Sequence, residues 1–207
     1  MQSTPSTIIP LLNGIDHVAA LCARFGNERV APTTIAVEAE KLAPARFIQR
    51  SPVVRFNLAA STEPLLGGIV SQLDNLGFIC KFIANEQTLL WGKLCFLAPF
   101  ALVTSASGMN VGEILAGSAW KHKLKTAVAE ACAVANASGA EINPVRIQEG
   151  FDAAPTGMRS SMQKDLLARR QLELDAIGGP IISGGERHGI NVSTTAELMA
   201  AIRVKLT

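Results

Sequence analysis

A chain of 207 residues, 48% apolar and only 17% charged, is long and hydrophobic enough to bury a core and falls outside the disordered class. Nineteen Lys and Arg against 17 Asp and Glu leave a net charge of +2 with no basic block, which argues against a nucleic-acid partner. The mean hydropathy is +0.27, yet the longest apolar run, 94–103, has ten residues, short of the ~20 of a membrane span. A buried core helix is expected there, and no membrane partner. The first residues lack the basic start and apolar stretch of a secretion signal. Cys22, Cys80, Cys95 and Cys132 show no CxxC spacing. They read as reduced core thiols of a cytoplasmic protein.

The first sixty residues predict the order strand, helix, strand, hairpin. Residues 7–12 are a short apolar run closed by the Asn13-Gly14 turn, and 15–25 carry a helical period stopped by Gly26. Residues 29–38, 47–50 and 53–58 read as strands. Residues 1–60 therefore look like the end of an α/β sheet that is incomplete on its N-terminal side; a small separate sheet is the alternative.

From Ser61 the pattern turns helical, so 61–207 is expected as a second, all-α domain. Ser61-Thr62 predicts a cap for a helix to Leu76, and 78–84 predicts one more strand. Asn85 caps a long helix through Val103, with Pro99 inside it. Helices are expected over 111–116 and 118–137, a polar connector over 143–155, and helices over 160–169 and 172–189, which could run on as one. Ser193-Thr194-Thr195 is the expected cap of the last helix, 196–206.

Lys93 is the most informative residue. It is the only charged side chain between Glu86 and Glu113. It must snorkel out, pair with an acid, or sit in a cleft with a lowered pKa, and the last case suits a proton donor. Ser161 and Asp165 share a helical face, which fits either a site or a serine cap with an acid in the first turn. Glu173 precedes a long uncharged run, 176–185, and an ion pair with Arg169 or Arg170 would also account for it. Gly178-Gly179 and Gly184-Gly185 point to close helix packing. His17, His122 and His188 are isolated, so no metal site is expected. GxGxxG, GxSxG and P-loop motifs do not occur.

Four stretches, taken in order, are similar to the ketopantoate reductase (2-dehydropantoate 2-reductase) family. They are 10–14 (PLLNG), 91–94 (WGKL), 160–165 (SSMQKD), and 172–175 (LELD) followed by Gly178-Gly179 and His188-Gly189. The resemblance implies a mainly α fold. A helical C-terminal domain of the 6-phosphogluconate-dehydrogenase-like type would follow the tail end of a Rossmann-like α/β domain. It implies reduction of a 2-keto acid such as 2-dehydropantoate by NADPH, a step of pantothenate biosynthesis. Lys93 would be the proton donor to the keto oxygen, Glu173 would bind the substrate hydroxyl and Ser161 its carboxylate. Asn110 and Asp165 would support substrate binding, and Asn13 would lie near the nicotinamide.

The sequence departs from the family in two places. The glycine fingerprint of the Rossmann domain is absent, so the resemblance implies that full NADP binding needs an N-terminal lobe that this sequence lacks. The positions four and eight residues after Lys93, usually asparagine, are Leu97 and Ala101. These departures also motivate an alternative, a non-catalytic helical module for dimerisation or ligand binding. Apolar surface left by a missing lobe predicts self-association, with a homodimer as the expected form.

Overall fold

The computed structural model describes residues 6–206, which divide into two compact units. Residues 6–12 and 17–90 form one; residues 13–16 and 91–206 form the other. The expected boundary after residue 60 therefore moves to Leu90. The reason is strand pairing: the residues after 60 supply a strand that joins the preceding sheet.

In the first unit Ile8 makes a parallel bridge with Val30, and α1 (Asp16–Phe25) lies between them in sequence. Strands β1 (Thr33–Ala36), β4 (Arg55–Ala59) and β5 (Ile79–Ile83) form a sheet in the order β1-β4-β5, antiparallel then parallel. The parallel pair is joined by α2 (Glu63–Asn75), as a parallel connection requires. The buried Leu66 and Val70 of α2 share a cluster with Ala31, Phe56 and Leu58. Between β1 and β4, β2 (Ala39–Ala43) and β3 (Arg46–Gln49) form a separate two-stranded hairpin. Thr62 donates to the carbonyl of Ala59 and does not cap α2.

The second unit is helical. It holds most of α3 (Glu86–Ser107), whose residues up to Leu90 belong to the first unit. By length and composition α3 could cross a membrane, but 72% of its most apolar window is buried by the rest of the chain. With it fold α4 (Val111–Ala116), α5 (Ser118–Ala137), α6 (Pro144–Asp152), α7 (Ser161–Leu167), α8 (Leu174–His188) and α9 (Ser193–Val204), and α5 packs against α4, α6, α8 and α9. Leu94, Leu102, Val103, Ile114, Phe151, Ile177, Ile181 and Ile202 are fully buried in one core. Burial of each such side chain contributes about 1.5–3 kcal/mol.

Three expectations are corrected by the fold. The polar connector over 143–155 is helix α6: Asn143 accepts from the Val145 amide, Pro144 opens the helix, and Phe151 stacks on Phe96 at 4.2 Å. Helices α7 and α8 are not continuous, because the chain turns at Arg169 with φ +51. Ser193, Thr194 and Thr195 lie inside α9, and its free amides are met from outside by Glu130 of α5. That buried carboxylate accepts from the amides of Thr194 and Thr195, both at 2.8 Å, and from the Thr195 hydroxyl at 2.7 Å. The positive end of the helix suits such a charge. Among the glycines, Gly184 holds α8 so near α5 that a Cβ would overlap the stiff side chain of Val134.

All four cysteines are free thiols. A hydrogen bond to Cys132, with burial, pushes the Cys95 thiol up, so it stays protonated.

Candidate functional site

Lys93 reaches solvent only partly, two turns into α3. Its Nζ donates to Oδ1 of Asn13 at 2.8 Å, and Nδ2 of Asn13 donates to Oε2 of Glu173 at 2.7 Å. One amide thus links an ammonium to a carboxylate, with its oxygen turned to the cation and its nitrogen to the anion. Lys93 and Glu173 lie 80 and 160 positions from Asn13, yet all three belong to the second unit.

Each is positioned by a simple local device. Lys93 stands on a helical turn that its neighbours Leu94 and Cys95 anchor in the core. Glu173 is the residue just before α8. Asn13 is carried by the turn ending at Gly14, which has φ +80 and packs directly against the carbonyl of Ala176 in the first turn of α8. Only glycine fits there, and its close approach brings Asn13 beside Glu173.

Burial lowers the pKa of Lys93 from its ordinary 10.5, and the charge of Glu173 opposes that shift. Between the lowered value and 10.5 the unfolded chain binds more protons at this group than the native one. Through this group, stability therefore rises with pH across that window. Removing the opposing charge has a definite sign. Glu173→Gln is expected to lower the Lys93 pKa further, read from the pH titration of its side-chain NMR resonances. A raised or unchanged value would contradict the arrangement.

The other expected site residues are used differently. Asn110 caps α4, accepting from the Glu113 amide at 2.9 Å while Glu113 accepts from the Asn110 amide at 2.7 Å. Asp165 is held by Arg170 at 2.7 Å, so the arginine considered for Glu173 serves Asp165. Ser161 is exposed at the first position of α7, and Ser160 is the cap.

A buried relay of polar groups, unmarked in the sequence, ties these elements together. The amide of Gln163 donates to Ser160 Oγ at 3.1 Å, and Ser160 Oγ lies 2.7 Å from Thr104 Oγ1 of α3. Thr104 in turn donates to the carbonyl of Phe100 at 2.7 Å, which leaves Ser160 as donor to Thr104. Gln163 Nε2 also reaches the carbonyl of Met109 at 3.2 Å. The available signal was the Thr104-Ser105 pair that ends the apolar stretch of α3.

Chemically, the cluster offers a proton held at Nζ, an amide, and a carboxylate. This set suits the protonation of a carbonyl oxygen. It does not provide the glycine loop that receives a dinucleotide pyrophosphate, because no GxGxxG occurs in the sequence. Among the described residues no cluster of His, Cys, Asp or Glu could hold a metal ion. The groove of about 250 Å3 between α8 and α9 is lined by Asp175, Gly179, Met199 and Arg203 among others, and by no member of the cluster.

The chain was compared with known proteins. The family described as ketopantoate reductase PanE/ApbA C terminal matches residues 85–206. A 2-dehydropantoate 2-reductase of Caulobacter vibrioides is 30% identical, over 96% of this chain and 68% of its own length. The solved structure of a 2-dehydropantoate 2-reductase from Geobacter metallireducens is similar with a TM-score of 0.87 at 23% identity. That match covers 96% of this chain and 68% of the other. D-mandelate dehydrogenase in complex with NADH also gives a TM-score of 0.87, at 20% identity, covering 99% of this chain and 71% of that one. At these identities the solved structures establish the fold. The chain spans about two thirds of the length of the relatives it matches.

Proposed function

Because the chain belongs to the ketopantoate reductase family, we propose that it forms the substrate-binding and proton-donating part of an NADPH-dependent reductase of 2-keto acids, 2-dehydropantoate among them. The observation that carries this reading is the Lys93–Asn13–Glu173 cluster. A nicotinamide dinucleotide, when bound, supplies a hydride to the keto carbon. Lys93 then donates the Nζ proton to the developing alkoxide, and burial makes that proton easier to release. Glu173 keeps the ammonium charged and, through Asn13, aimed. Ser161, exposed at the head of α7, is the candidate for the substrate carboxylate. The pyrophosphate contacts come from a lobe outside these residues. Free thiols suit a reducing compartment, the cytoplasm.

Titration of the chain with a simple 2-keto acid, such as 3-methyl-2-oxobutanoate, is expected to shift the Lys93 side-chain resonances. A Lys93 signal indifferent to every 2-keto acid would reject the reading.

The alternative, a helical module without chemistry, draws on the missing glycine loop and on exposed Leu65, Ile69 and Leu76 in and just after α2. Both readings expect a homodimer, and sedimentation of a monomer alone would remove it.

A further inference from the structure

The groove between α8 and α9 has the residue spacing of a helix-packing seam, although every residue lining it belongs to those two helices. On α8 its lining includes Asp175, Gly179, Ile182 and Glu186, and on α9 Met199 and Arg203, positions three or four residues apart that share one helical face. The groove, about 250 Å3, runs on into a second of about 520 Å3 with which it shares Ile182 and Glu186. Ile182 and Met199 give it hydrocarbon walls, and its charges stand apart along its length.

At one end the Arg203 guanidinium donates through Nη2 to Asp175 at 2.7 Å, which leaves its other N–H groups for a further acceptor. Glu186 is about 16 Å further along α8, exposed and without an ion pair among the described residues. Gly179 stands one turn from Asp175, and a Cβ there would meet nothing within 4 Å. A glycine inside a helix costs about 1 kcal/mol relative to alanine, and the packing of this chain does not require it. A two-fold axis between Ile182 and Ser183 would set one α8 antiparallel on another. It lays Glu186 of the second copy over Gly179, one turn from the Asp175–Arg203 pair and within reach of the arginine. The same contact recurs on the other side of the axis.

We propose that the α8–α9 face is an interface between two copies of this chain, with Glu186 of each paired to Arg203 of the other across the open notch at Gly179. The occupant is a second copy because the groove is complementary in charge to itself once it is reversed end for end. The interface is separate from the exposed apolar residues of α2, and it does not depend on the reading of Lys93.

Sedimentation equilibrium of the 207-residue chain is expected to show a reversible dimer with a Kd on the order of 10 µM. Glu186→Arg and Arg203→Glu each place like charges at both contacts and should weaken it at least about tenfold. An equal mixture of the two variants restores opposite charges at both contacts and should dimerise within about threefold of the parent. Circular dichroism reports whether each variant is folded. If Arg203→Glu fails to fold, Glu186→Arg alone decides, since that side chain is exposed and unpaired in the single chain. A parent that stays monomeric at about tenfold that Kd overturns the proposal. So does a dimer that both variants leave intact and that Ile69→Asp dissociates, because the α2 face then holds it. Failure of the mixture to recover, with both variants folded, overturns the pairing of Glu186 with Arg203.

Discussion

Replacing Lys93 with alanine is expected to lower the rate of 2-keto acid reduction by about a hundred- to ten-thousandfold, the usual range for a positioned general acid. The measurement is the rate of nicotinamide oxidation by a polypeptide in which these residues are joined to a dinucleotide-binding lobe. The loss should fall on kcat more than on KM, because the negative oxygen that takes the proton exists only as the hydride arrives. Lys93→Arg makes the argument sharper. It keeps a positive charge beside Asn13 but holds its proton too firmly to give it up, so it should stay slow. A lysine whose pKa burial has lowered also places the alkaline fall of activity below the ordinary lysine range. Glu173→Gln should move that fall to still lower pH. Turnover within about threefold of the parent in both Lys93 variants would leave the ammonium a structural group.

The buried setting of Lys93 was legible because charge is rare where helices are buried: one cation stands in the run from Glu86 to Glu113, although a stem snorkelling along an apolar face would leave the same mark. The helices with strong apolar periods were legible for the same reason, since burial writes itself into spacing. What the sequence hides is long-range pairing. Glu173 could equally have met a neighbouring arginine, and only the folded chain shows Arg170 going to Asp165 and Asn13 going to Glu173. The start of α9 hides its cap in the same way. Three hydroxyl residues in a row resemble a local cap, but the acceptor that meets the free amides is Glu130, more than sixty residues earlier. Helix α6 was obscured by its polar, exposed face, although Asn143-Pro144 and the Ile147 and Phe151 pair were signals of a capped amphipathic turn.

Gly14→Ala is expected to destabilise the chain by about 2–5 kcal/mol, and more than any other alanine placed on a glycine of this turn's surroundings. Two costs combine. A φ of +80 is strained for any residue with a Cβ. The added carbon would also overlap the Ala176 carbonyl, and a backbone atom inside the first turn of α8 cannot swing aside as a side chain would. The turn must therefore retreat from α8, and Asn13, its neighbour, retreats from Glu173. In whatever fraction remains folded, the Lys93 titration should change together with the loss of stability, because the amide that joins it to the carboxylate has moved. Gly179→Ala is the control on the same helix. A Cβ there meets nothing within 4 Å, and the better helix former should stabilise by up to about 1 kcal/mol. Denaturant unfolding of the two variants separates the explanations. Opposite signs are the mark of a turn docked on α8, and equal small effects would mean that the Asn13 bridge does not depend on that contact.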